Sequence, residues 1–397
     1  MAFQPPPEPK SLLGYHRILS PTAAIRVSPL CLGAMNFGEA WKDFMGTCDK
    51  KTVFEILDYF YDQGGNFIDT ANNYQNEESE KWLGEWMNER GNRDQMVIAT
   101  KFTTGFRSGQ GQKEIQSNFQ GNSTKSLHVS LEASLKKLQT TYIDVVRTNM
   151  LDGNLYLHWW DFSGSIPEIM QSLDVMVKAG KVLYLGISDT PAWIVSKANE
   201  YARNHGMRQF SVYQGRWSAS QRDFERDIIP MCEAEGMGLA PWGALGGGNF
   251  KSDEQRKSTE GRQMRGPSEN DIKISKKLEE IANKKNTQIT SVALAYVMHK
   301  VPNVFPIVGG RTIAHLKGNI EALGLELSKE DIMAIEDAVP FDVGFPLNFL
   351  FMGKRFDQSL STADVFFVAR NAHVNTVPKP VPIKPGRPQR EIGSSAL

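Results

Sequence analysis

The chain alternates between two hydrophobic periods. Short apolar runs, rich in Val and Ile, are followed by longer stretches whose apolar residues recur every three or four positions. The runs are SPLCLGAMNFG (28–38), NFIDTAN (66–72), MVIATKF (96–102), YIDVV (142–146), VLYLGIS (182–188), FSVYQG (210–215), MGLAPWG (237–243) and NVFPIVGG (303–310). Two intervening stretches show their helical face plainly. STKSLHVSLEASLKKLQ places Leu127, Leu131, Leu135 and Leu138 on one side. PEIMQSLDVMVKAG does the same with Ile169, Leu173, Met176 and Val177, then stops at Gly180, a C-terminal helix signal. Eight strands alternating with helices imply an α/β fold with a parallel sheet, and a closed (β/α)8 TIM barrel is its economical form. The rival is a doubly wound open sheet. That fold normally carries a GxGxxG turn after an early strand; here GALGGG (243–248) has the wrong spacing and comes late.

The pattern predicts three regions: a flexible N-terminal segment (1–14), the barrel (15–345), and a C-terminal extension (346–397). The extension is proline-rich and basic from about Val374, which points to extended or disordered chain. The stretch KSDEQRKSTEGRQMRGPSE (251–269) is charged and has no core face, so it reads as a surface loop or a lid.

Bulk properties narrow the function classes. The 397 residues are 40% hydrophobic with a formal net charge of zero, so no basic field calls for nucleic acid and no charge excess calls for a membrane surface. No apolar stretch approaches the roughly 20 residues of a membrane span. Cys31, Cys48 and Cys232 lie far apart with no CxxC spacing, which argues against a disulfide framework or structural zinc. The N-terminus lacks a signal-peptide run, and the final Ser-Ala-Leu lacks the basic centre of a peroxisomal signal. A soluble, cytoplasmic protein is the expectation.

Function in a barrel gathers at the C-terminal ends of the strands. The second strand ends in Asp69, with Tyr74 five residues on; the third ends in Lys101; the fourth in His158; the fifth in Ser188-Asp189; the sixth in Tyr213-Gln214. Singly, each has a structural explanation: a helix cap, a packing tyrosine, a solvated lysine, a core histidine. Together they form an acid–base set. A lysine ammonium beside a tyrosine favours the phenolate, and a carboxylate holds the lysine charged and in place. A histidine can orient and polarise a carbonyl oxygen. No residue set suggests a metal.

This order, D-x4-Y, then K after one strand and H after the next, resembles the tetrad of the aldo-keto reductases. The likeness spans roughly residues 15–345. GGNFIDTANNYQNEESEKWLGEW, LYLHWWD, GKVLYLGISDTPAW, FSVYQGRW and VFPIVGGRTIAHLKGNIEAL resemble the fungal aryl-alcohol dehydrogenase and norsolorinic acid reductase branch. The resemblance implies a barrel that binds NADP(H) and reduces a small aromatic carbonyl substrate in fungal secondary metabolism. Tyr74 would be the proton donor, assisted by Lys101 and Asp69, with His158 positioning the carbonyl. Ser188 and Gln214 match the pair that holds the nicotinamide carboxamide, with Tyr213 near the ring. PWGALGGG matches the pyrophosphate-wrapping segment, giving Trp242, Ala244, Leu245, Gly247 and Gly248. GGRTIAHLKGN matches the adenosine 2′-phosphate site, giving Gly310, Arg311, Thr312, His315 and Asn319; relatives often carry glutamine at the position of His315. In this family the chain after the seventh strand folds over the cofactor, which favours the lid reading of 251–269. Met35, Trp41, Trp159, Trp160 and Trp217 suggest a flat aromatic guest, or core.

One feature departs from the family pattern. Relatives run directly from YID into LYxHWWD, whereas about nine residues (146–154) intervene here. Either the insert bulges out and LYLHWW still completes the fourth strand, or YIDVV is displaced and the barrel is weakened. A catalytically impaired NADP-binding barrel, or a regulatory subunit, is therefore the alternative to a reductase.

Overall fold

In the computed structural model, residues 7–111, 113–148, 160–257, 266–352, 360–375 and 380–387 are described. Ten strands occur among them: β1 Arg17–Ser20, β2 Ala23–Val27, β3 Cys31–Gly33, β4 Phe67–Asp69, β5 Val97–Phe102, β6 Ile143–Thr148, β7 Val182–Ser188, β8 Phe210–Gln214, β9 Gly238–Leu239 and β10 Ile307–Val308. Strands β3 to β10 are the eight apolar runs. They form one sheet in the order β10-β3-β4-β5-β6-β7-β8-β9, and every pairing is parallel.

This order is the chain order with the last strand carried round to the first. The winding never reverses, as it must in a doubly wound sheet. Backbone hydrogen bonds also cross the seam. Leu239 N–H donates to Asn303 O (2.9 Å), Phe305 N–H to Leu239 O (2.8 Å) and Ile307 N–H to Pro241 O (2.8 Å). The result is a curled eight-stranded parallel sheet with helices outside, consistent with a (β/α)8 barrel.

The helices form where their apolar faces predict. Thr124–Lys137 is capped by Ser123, whose side chain accepts from Ser126 N–H, and Leu127, Leu131, Leu135 and Leu138 are all buried. Ile166–Lys178 begins after Ser165 with a proline in its first turn and buries Ile169, Leu173 and Met176. Gly180 follows at φ +69°, a left-handed position that a side chain would strain.

Two apolar layers result. One lies between sheet and helices. The other fills the barrel: Phe67, Val97, Ala99, Val145, Val212, Ala240 and Phe305, closed from below by Leu19, Ala23 and Val27 of the β1–β2 hairpin. The eight runs do not announce this plug. Its backbone comes so close that a Cβ on Gly238 would stand 2.4 Å from Leu19 O.

The fourth strand decides one of the two alternatives for the insert. YIDVV is not displaced: Val145 and Val146 pair with Ala99 and Thr100 on one side and with Tyr184 and Leu185 on the other. The rungs above them go to Arg147 and Thr148, beside Lys101 and Phe102. Both lie in the 146–154 stretch, so its first residues continue the strand rather than bulge out. The physical reason is local. Open ladder groups on β5 and β7 pair with whichever residues come next, and Val-Val-Arg-Thr suits a strand. Residues 149–159, including His158 and Trp159, lie outside the described residues.

Candidate active site

Asp69 closes β4, Lys101 lies near the end of β5, and Tyr74 begins a short 3-10 turn five residues after Asp69. All three are buried, at 3%, 1% and 4% exposure. Strand geometry explains the convergence. Asp69 pairs with Ala99, so Lys101, two residues further, projects to the same face one layer higher.

The lysine is saturated. Its Nζ donates to the Asp69 carboxylate, to Thr70 O (2.7 Å) and to Tyr74 Oη (2.9 Å). An ammonium has three protons to give, and these are three partners. Because Tyr74 Oη accepts from Lys101, its own proton points elsewhere. Asp69 is held in turn by Gln214, whose Nε2 donates to Oδ1 at 3.2 Å. The fourth expected member, His158, lies outside the described residues. Just beyond it, Trp160 is buried, and Asp161 follows. Burial opposes ionisation of Asp161, but the N–H groups of Asn122, Ser163 and Gly164 outweigh it and hold the carboxyl below its usual range.

The expected cofactor residues fall into two groups. At the strand ends, Ser188 and Gln214 pair in register and are 0% and 2% exposed. Ser188 Oγ donates to Asp189 (2.5 Å), as does Trp242 Nε1 (3.3 Å to each oxygen). Burial pushes the Asp189 carboxyl up to about 6, although those two donors pull the other way. Asp189 was visible as a strand-end acid, but its link to Trp242 was not. Tyr213 stands on the outward rung between Val212 and Gln214. Its hydroxyl donates to Thr190 O (2.7 Å) and accepts from Thr190 N–H (3.0 Å), so it braces the loop after β7.

The second group lies after β9 and β10. Gly243, Gly246, Gly247 and Gly248 all have left-handed φ, from +62° to +94°, a turn only glycine takes readily. Ala244 is buried and Leu245 half-buried beside them. After β10, Gly310 and Arg311 lead into the helix Ile313–Glu321, whose N-cap Thr312 accepts from His315 N–H. Asn319 is buried in that helix.

The sequence alone singles out no basic residue in 251–269. Arg256 stands out: its Nε and Nη1 are buried and have no partner among the described residues, while Nη2 approaches Asn249 O at 3.4 Å. Asn249 directly follows the glycine turn. A guanidinium with two unpartnered nitrogens beside a glycine turn is a donor group that fits the phosphates of an anionic dinucleotide. Among the described residues no group of His, Cys, Asp and Glu is placed to hold a metal, and no helix is long and apolar enough to cross a membrane.

Residues 29–340 match the model of the aldo/keto reductase family. Norsolorinic acid reductase A of Aspergillus parasiticus is 54% identical over 398 aligned residues, covering 100% of both chains. Norsolorinic acid reductase B of Dothistroma septosporum is 56% identical over 94% of each. The NADP(+) aryl-alcohol dehydrogenase of Phanerodontia chrysosporium is 49% identical over 90% of this chain and 94% of its own. The chain therefore belongs to the aldo/keto reductase family and is an oxidoreductase acting on carbonyl and alcohol groups.

Proposed function

We propose that this protein is an NADPH-dependent reductase of aromatic aldehydes or ketones, working reversibly on the alcohols in the secondary metabolism of a fungal cytoplasm. The observation that carries the reading is the buried contact of Lys101 Nζ with Tyr74 Oη while Asp69 and Thr70 hold the lysine.

A nicotinamide bound at this site would supply the hydride. Ser188 and Gln214 would hold its carboxamide, the 243–248 turn and Arg256 would meet the pyrophosphate, and Arg311 at the helix start would meet the 2′-phosphate. Negative charge then develops on the carbonyl oxygen, and Tyr74 gives it a proton. The ammonium of Lys101 stabilises the phenolate left behind, and Asp69 keeps that ammonium charged and fixed. His158 orients the carbonyl oxygen. Burial of the three described groups makes these interactions stronger than they would be in water.

The insert supports a second reading, a barrel that binds NADP(H) but catalyses poorly. Residues 146–148 occupy the rungs leading to the fourth strand end, nine residues ahead of the family spacing to His158. One experiment separates the two. NADPH and NADH oxidation is followed with a panel of aryl aldehydes in the wild type, in Tyr74→Phe and in a deletion of 146–154. A reductase shows turnover that prefers NADPH and falls about 10²- to 10⁴-fold in Tyr74→Phe. Turnover only in the deletion supports the impaired barrel, and equal rates in wild type and Tyr74→Phe remove the role given to Tyr74.

A further inference from the structure

The backbone after Tyr74 is unusual. Gln75, Asn76 and Glu77 are three successive non-glycine residues with positive φ, at +51°, +51° and +80°. Such residues avoid this region unless their surroundings hold them there. Here the holding comes largely from one loop, the segment following β3.

Gln75 is fully buried, and its amide is used at both ends. Nε2 donates to Met35 O (3.0 Å), and Oε1 accepts from Trp41 N–H (2.8 Å). Asn76 Oδ1 accepts from the Trp41 indole (3.2 Å). Glu78 accepts from the N–H groups of Glu39 (2.7 Å) and Ala40 (3.1 Å). The loop lies so close that a Cβ on Gly38 would stand 2.3 Å from that of Gln75. The outcome is that the Trp41 ring meets the Tyr74 ring edge to face, with centroids 6.3 Å apart.

We infer that Gln75 is a positioning residue: its amide clasps the 35–41 loop and sets the Trp41 ring beside Tyr74 as a specificity-determining wall for flat aromatic carbonyls. The inference rests on the reading of Tyr74 as the proton donor. Glutamine suits the task because it donates and accepts at once. A glutamate would keep the acceptor for Trp41 N–H and lose the donor to Met35 O. An aromatic edge beside the reacting group favours planar guests over small aliphatic ones.

The test has a kinetic arm and a structural arm. Gln75→Ala, Trp41→Ala, the double variant and Gln75→Glu are compared with the wild type on an aryl aldehyde and on propanal, with NADPH. For Gln75→Ala, KM for the aryl aldehyde rises roughly five- to tenfold, the factor that one or two net hydrogen bonds imply. kcat on propanal changes less than twofold. In the Trp41→Ala background the Gln75 substitution adds nothing, since it acts through the ring. Gln75→Glu falls between the wild type and Gln75→Ala, and serves alone if Gln75→Ala does not fold. Equal losses on both aldehydes, or additive effects of the two substitutions, overturn the inference. In parallel, hydrogen exchange of the Trp41 amide accelerates in the Gln75 variants, and unchanged exchange also overturns it. Should the wild type reduce no carbonyl, the proposed function fails while the exchange arm still decides whether the clasp exists.

Discussion

The lower and upper halves of the barrel interior are built by the same strands two residues apart. On β4 the lower residue is Phe67 and the upper Asp69; β5 passes from Val97 and Ala99 to Lys101; β8 passes from Val212 to Gln214. Below, Phe67 and Phe305 meet edge to face at 6.5 Å, and the hairpin seals the opening. Above, the same inward register carries groups that ionise and donate. Positions two apart on a strand share a face, so one framework serves both purposes. The difference teaches where each kind of residue is tolerable. The lower half gains from excluding water. The upper half holds a buried charge because every donor of Lys101 has a placed acceptor.

The sharpest way to break that contrast is Lys101→Met. It makes the upper half as apolar as the lower but leaves Asp69 buried without its counter-ion. Unfolding in denaturant should show a loss of about 3–5 kcal/mol, and carbonyl reduction should vanish. Adding Asp69→Leu should restore most of the stability and none of the activity. A single variant that keeps its stability would show that the two halves are not energetically distinct.

Phe67→Ala probes the other side. Removing a fully buried aromatic should cost about 3–5 kcal/mol through lost burial and the cavity left behind. Aryl aldehyde KM, measured on folded protein well below its melting temperature, should stay within about twofold, since the cavity lies below the reacting groups. A large change in KM would mean that the lower layer positions the site as well as supporting it.

The smallest effect concerns Asp189. Its carboxyl is raised from 3.8 to about 6 by burial, with Ser188 and Trp242 donating against the shift. The folded state thus binds this proton more tightly than the unfolded state does. The contribution to stability is fully present below pH 3.8 and is lost as pH rises through about 6. Asp189→Asn should remove that component, so wild-type stability falls relative to the variant across this window. Parallel stability curves for the two proteins would show that Asp189 titrates as it does in the unfolded chain.

Much of this was legible in the chain itself. All eight sheet strands were visible because a strand buried on both faces needs an unbroken apolar run. Asp69, Tyr74 and Lys101 were visible because polar residues at the ends of such runs have few structural reasons to be there. The hairpin plug was not, since β1 and β2 are short and their exposure alternates irregularly. Arg256 was one of several basic residues in a charged stretch, and only its buried, unpartnered nitrogens single it out. Gln75 looked like any polar residue in DTANNYQNEE, because a buried amide between two backbone partners leaves no local trace.

The sequence by itself determined the fold class, the family and the order of reactive residues, because periodicity and residue type are local properties of the chain. The tertiary structure alone decided which groups meet. It joined Lys101 to Tyr74, closed the seam through Leu239 and Phe305, and set Trp41 against Tyr74. It also gave the fourth strand's rungs beside Lys101 and Phe102 to Arg147 and Thr148. Contacts of this kind join residues 27 to 66 or more positions apart. Their geometry follows from strand register and curvature, which depend on the whole sheet.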